Sequence, residues 1–193
     1  MGRGWLSQHT AIKNMNPFLN RSRVEQLLSQ LAGKNILIVG DVMLDEFIWG
    51  KVGRISPEAP VPVVEVIEET YRLGGSGNVA ANIQALGGTP LPIGILGGDV
   101  ASDRVLDLMK QAGIEISGLL RDNRPTTLKT RVIAHNQQVV RTDRESKKAL
   151  PSTLNADLAA IFLRSLPQAS AVVISALPAT PGCSRSPKPA PRK

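Results

Sequence analysis

Between Leu73 and Gly88 the chain reads LGGSGNVAANIQALGG, a glycine-rich stretch of the kind that lets backbone close on a ligand. Gly75-Ser76-Gly77-Asn78-Val79-Ala80 has the G-x-G-x-x-A spacing of a dinucleotide loop, and Asp99 lies at a suitable distance to take a ribose hydroxyl. The same residue types suit a polyhydroxylated ligand. Glycines let backbone amides approach it, Asn78 at the start of the following helix offers an amide, and Asp45 accepts from neighbouring hydroxyls. A third reading is an ordinary turn, with paired glycines before a helix and Asn78 as its N-cap.

Each reading needs elements that hold these residues. From Arg21 the apolar Val24, Leu27, Leu28 and Leu31 recur at helical spacing, with Gly33 as the stop. NILIVGD then reads as a buried strand whose C-terminal end carries Asp41 and, after a short turn, Asp45. EFIWGKV and VPVVEVIEE, separated by GRISPEAP, predict an antiparallel ribbon away from the main sheet. A helix follows from Asn78 to Gly87-Gly88, and PLPIGILG is a second buried strand. DVASDRVLDLMKQAG has helical spacing and an acidic start.

TTLKTRVIA and QQVVRTDRE, joined by His135-Asn136, alternate as a half-exposed hairpin, which places Lys129 and Arg131 on one face and Arg141 and Asp143 on one face of the partner strand. After Pro151 a helix to about Leu166 leads to the buried strand SAVVIS. Strands alternating with helices predict an α/β layered fold on a parallel sheet. The domain is expected over 20–175, between a loose segment at 1–19 and a disordered, Pro-rich tail at 176–193.

Bulk composition removes several classes of function. Hydrophobic residues make up 42% of the 193, yet no apolar run approaches the roughly 18 residues of a membrane span. The N-terminus has no apolar segment behind its charges, so no secretory signal is read and a cytoplasmic location is expected. With Cys183 as the only cysteine and His9 and His135 as the only histidines, neither a disulfide nor a His/Cys metal centre is expected. Arg185, Lys188, Arg192 and Lys193 supply four of the seven net positive charges, so the basic balance belongs largely to the tail and no nucleic-acid partner is expected.

A dinucleotide site runs its strand directly into the first glycine. Here the β-rich run is expected to end near Ile67, leaving EETYRL as a polar insert that would spoil that geometry. The order GDVMLD, GGSGNVA, Gly87 and Gly97 resembles the ribokinase-like PfkB family of sugar kinases, with Ser76 departing from the family's Gly, Ala or Pro. GRISPEAPVPVVEV and PTTLKTRVIAHNQQVVRTDRE make the resemblance more specific, to bacterial heptose-7-phosphate kinases, which also form the first half of bifunctional ADP-heptose synthesis proteins. It spans about Met15 to Ser175.

The resemblance implies a three-layer α/β/α fold with a small β lid, its C-terminal part missing here. It implies transfer of the γ-phosphoryl group of ATP, with Mg²⁺, to the anomeric hydroxyl of D-glycero-D-manno-heptose 7-phosphate, a precursor step for ADP-heptose and lipopolysaccharide core. Asp45, Gly74, Gly75 and Asn78 would hold sugar hydroxyls. Lys129 and Arg131, in the lid hairpin, would face the 7-phosphate, or else form a solvated strand face. The catalytic Asp of a Gly-Ala-Gly-Asp motif has no counterpart in the sequence. Where relatives continue with Asp-Tyr-x-Lys-Gly, this chain reads ALPATPGCSRSPKPAPRK, as a frameshifted or truncated reading frame would. The expectation is therefore an inactive fragment of a kinase whose intact parent is a homodimer, or a non-catalytic sugar-phosphate binding or interaction module.

Overall fold

The computed structural model describes residues 20–175; the segments at 1–19 and 176–193 lie outside the described residues. The chain opens with α1 (Arg21–Leu31), β1 (Asn35–Gly40), β2 (Val42–Ile55), β3 (Pro62–Gly75) and α2 (Ser76–Ala85). It continues through β4 (Thr89–Leu96), α3 (Val100–Gln111), β5 (Leu119–Arg121), β6 (Thr127–Ala134) and β7 (Gln137–Arg144), and closes with α4 (Ser152–Ser165) and β8 (Ala171–Ser175). Asn20 starts α1 by accepting from the Arg23 N–H at 2.8 Å, the capping interaction that polar residue favours.

The strands form two four-stranded sheets. The main sheet, in the order β5-β4-β1-β8, is parallel at each pairing. The apolar runs of β1 and β4 are buried as parallel strands require: Leu37 and Ile38 are fully buried, and Ile36 and Ile38 pack with Ala80 of α2 and Val105 and Met109 of α3. By contrast β8, expected as a buried strand, holds no buried residue because it forms the sheet edge. Leu44 of β2 enters the same core, which fastens the second sheet to the first. No helix among the described residues is long and apolar enough to cross a membrane.

The second sheet is the lid, in the order β3-β2-β6-β7. Its two hairpins were expected as separate ribbons, but β2 and β6 pair in parallel from Met43↔Thr127 to Gly50↔Ala134 and join them into one surface. The turn between β6 and β7 is carried by His135 and Asn136 at φ 51° and 62°, the paired positive φ of a tight hairpin. Two boundaries also move. Asp45 does not follow a turn after the first strand: it lies within β2, which begins one residue past the Asp41 junction. EETYRL is not an insert: β3 runs through it to Gly75, and its polar residues occupy both faces of a lid strand. The short β5, absent from the sequence reading, completes the far edge of the main sheet.

Candidate functional site

The glycine stretch of the sequence is the joint between lid and core. Gly75 closes β3 and occupies the N-cap position of α2 at φ 54°, ψ −131°, a backbone conformation open to glycine. A Cβ built there would lie 2.2 Å from the Asp41 carbonyl oxygen, the group that accepts from the Ser76 N–H at 2.9 Å. Gly74 meets a different constraint. A Cβ on it would sit 2.7 Å from Asp45 Oδ2 and from Met43 Cγ. Gly74 thus lets Asp45 and Met43 close over its backbone, and Gly75 lets the Asp41 carbonyl close over its own.

Asn78 lies in the first turn of α2, exposed and with no side-chain hydrogen bond among the described residues. It is not the cap, because the helix begins at Ser76 rather than Asn78 and Gly75 has no side chain to cap with. Its amide is not consumed by the fold, which removes one part of the ordinary-turn reading.

Across the lid sheet Asp45 is opposite Arg72 of β3 on one side and Lys129 of β6 on the other. Lys129 is in turn opposite Asp143 of β7. Residues directly paired across a sheet share a face, so this row presents alternating charge. The next row on the same face is Thr70, Phe47, Arg131 and Arg141. Arg131 Nη1 donates to Asp45 Oδ1 at 2.6 Å, both side chains being about three-quarters covered, and its guanidinium lies 5.2 Å from the Phe47 ring centre. Arg72 stands 5.5 Å from that ring. Arg141 grips Asp143 through two bonds of 2.8 and 2.7 Å. Those bonds hold the Asp143 carboxyl below its ordinary value, with the fields of Lys129 and Arg131 adding to the effect. Lys129, half-buried, makes no hydrogen bond or ion pair among the described residues.

Asp45, Gly74, Gly75, Lys129 and Arg131 are therefore brought to one end of the lid, with Asn78 in the helix turn that follows Gly75. Phe47, Arg72, Arg141 and Asp143 complete that face. Of these only Arg141 and Asp143 carried a sequence signal, as alternating residues of one strand. Nothing in the sequence announces that β2 lies beside β6, so the company of Phe47 and Arg72 was not legible.

Asp99 does not fit the ribose role. It caps α3, with Oδ1 accepting from the Ser102 N–H at 3.1 Å and Oδ2 from the Thr126 N–H at 3.0 Å, so both oxygens are engaged. The strand that enters the glycines also belongs to the lid, not to the parallel sheet, whose first strand leads to Gly40 and Asp41. The dinucleotide reading fails on that topology, and not on a polar insert. A separate concavity of about 530 Å³ lies between the loop after β5 and the segment after β7, lined by Asp122, Arg124, Glu145 and Lys148 among others; it contains none of the sugar-type residues.

Comparison with known proteins agrees with this architecture. Over 130 residues the chain is 47% identical to Bifunctional protein HldE of Geobacter sulfurreducens, covering 67% of this chain and 26% of the relative. Over 143 residues it is 44% identical to Bifunctional protein HldE of Helicobacter pylori, covering 74% and 31%. The chain thus spans between a quarter and a third of the length of these relatives. Among solved structures, ribokinase of Arabidopsis thaliana, complexed with ribose and ATP, superposes with a TM-score of 0.52 at 13% identity, over 74% of this chain and 45% of that one. The microbiome-derived acarbose kinase Mak1 gives 0.55 at 18%, over 74% and 46%. Both show a ribokinase-like fold. The family model "pfkB family carbohydrate kinase" matches residues 34–185, beginning later than Met15 and reaching past Ser175, where the family pattern was expected to end. With residues 34–185 of its 193 matched, the chain belongs to the pfkB family of carbohydrate kinases.

Proposed function

We propose that the lid face around Asp45 binds the acceptor of a sugar-phosphate kinase, a heptose 7-phosphate, with Asp45, Gly74, Gly75 and Asn78 at its hydroxyls and Lys129 at its phosphate. One observation carries the reading: Lys129 is directly opposite Asp45 in the sheet. A hydroxyl acceptor and a cation without a hydrogen-bonded carboxylate stand side by side, which suits a ligand bearing both hydroxyls and a dianion. Family membership supports a sugar, and the resemblance to heptose kinases supports the phosphate.

The part these residues play is to bind and orient the acceptor. The resemblance implies ATP and Mg²⁺ for the reaction. The sequence holds no Gly-Ala-Gly-Asp segment, and among the described residues no three His, Cys, Asp or Glu side chains converge as a cation site.

Calorimetric titration of the 193-residue chain with D-glycero-D-manno-heptose 7-phosphate tests the reading. Saturable binding is expected, and Lys129→Ala is expected to weaken it about tenfold or more, the worth of one charge-assisted hydrogen bond. Unchanged affinity in a Lys129→Ala protein that keeps its circular dichroism would remove the phosphate role. Absence of binding by the parent chain would remove the acceptor site altogether. With ATP and Mg²⁺ added, no heptose bisphosphate is expected, so the chain acts as a binder; product formation by it would overturn that part.

A further inference from the structure

Resting on this acceptor reading, we propose that Arg131 is a positioning residue for Asp45 and not a ligand for the phosphate. The cations of the lid face then divide their work. Arg131 holds the carboxylate that receives sugar hydroxyls, and Lys129 receives the anion.

The division follows from what each group already touches. Asp45 Oδ1 accepts from Arg131 Nη1 at 2.6 Å. Asp45 Oδ2 instead faces Gly74, close enough that a Cβ there would sit 2.7 Å away. One oxygen is thus tied, and the other makes no hydrogen bond among the described residues and is left to accept from a ligand hydroxyl. The tie is itself supported. The Arg131 guanidinium rests 5.2 Å from the Phe47 ring centre, and side-chain exposure is 24% for Arg131 and 21% for Asp45.

Moving Arg131 to a phosphate would strip a partly covered carboxylate of its partner and forfeit the aromatic contact. Moving Lys129 breaks no hydrogen bond or ion pair among the described residues. Arg141 is tied as firmly as Arg131, gripping Asp143 with two hydrogen bonds. Lys129, between Asp45 and Asp143 in the register, is the cation whose recruitment costs the face least.

The test compares two sugars, D-glycero-D-manno-heptose and its 7-phosphate, on the full chain and on Arg131→Gln, Arg131→Lys and Lys129→Gln. Arg131→Gln is expected to weaken both sugars by the same factor, about tenfold, because it acts through the hydroxyl acceptor. Arg131→Lys is expected to restore part of that loss, since an ammonium can still meet Oδ1, and it serves as the measured variant if the glutamine protein does not fold. Lys129→Gln is expected to weaken the phosphorylated sugar alone. Selective loss of the phosphorylated sugar on changing Arg131 would overturn the proposal and make that arginine a phosphate ligand. A parent chain that binds the phosphorylated sugar but not the plain one would overturn it as well, because Asp45 would then hold no hydroxyl. Binding of neither sugar by the parent chain would instead sink the acceptor reading beneath it.

Discussion

At Ser76 the chain buries a hydroxyl without a partner among the described residues: the residue is 0% exposed and its Oγ makes no hydrogen bond to any of them. Its backbone is well used, since its N–H reaches Asp41 and it opens α2 directly after Gly75. Leaving a buried hydroxyl unpaired costs on the order of 1–3 kcal/mol, whereas alanine keeps the Cβ and removes the orphan group. Ser76→Ala is therefore expected to raise the unfolding free energy by about 1 kcal/mol, read as a higher denaturant midpoint at unchanged slope. Heptose-phosphate affinity should not change, because the backbone contacts persist. A lower midpoint would show that the hydroxyl serves a partner. Residue types at this joint were legible: Asp45, Gly74, Gly75 and Asn78 were named from what they can hold. Their partners were not. Arg131 meets Asp45 only because segments far apart in sequence lie in parallel register.

Among the elements, the tie between α3 and the lid is the most testable. Asp99 caps the helix through Ser102, and its other oxygen fixes the Thr126 N–H at the entrance to β6; Thr126 in turn accepts from the Gly97 N–H at 2.9 Å. Burial acts to raise the Asp99 carboxyl, but the hydrogen bonds from Thr126 and Ser102 outweigh it and the net shift is downward. A carboxyl lowered by folding stabilises the fold above its unfolded value of about 3.9, and that contribution is lost as pH falls through the folded value. Asp99→Asn is expected to cost about 1 kcal/mol near neutrality, because an amide still caps through its one oxygen but its nitrogen cannot accept from the second N–H. The gap from the parent should shrink below about pH 4, where the aspartate too becomes neutral. Urea midpoints across that range read it out, and a gap constant with pH would show that the charge of Asp99 contributes nothing. Most elements could be read from periodicity, as α1 and β1 were. EETYRL could not, because a lid strand with polar residues on both faces shows no apolar alternation. β5 is too short to carry a pattern.

At the scale of the whole molecule, apolar surface is distributed unevenly. The core lies between the main sheet and helices α2 and α3, yet β8 stands at the edge of that sheet with Ile174 74% and Val172 39% exposed. Leu163 of α4 is 63% exposed, and Val24, Leu27 and Leu28 of α1 are each close to 40%. An exposed edge strand with apolar side chains is a template for pairing with another chain, and a charge on it blunts that tendency. Parallel strands are built to be covered on both faces, and these side chains of β8 are not covered among the described residues. The described chain is accordingly expected to self-associate as its concentration rises, with β8 as the seat. Ile174→Lys should reduce that growth in light scattering while altering stability by no more than about 0.5 kcal/mol, because the side chain is already largely in solvent. Val100 supplies the control. It is 84% exposed at the start of α3, away from the sheet edge, so Val100→Lys adds the same charge without touching β8. Equal suppression by both substitutions would mean that net charge governs association, and suppression by Ile174→Lys alone places it at the strand edge.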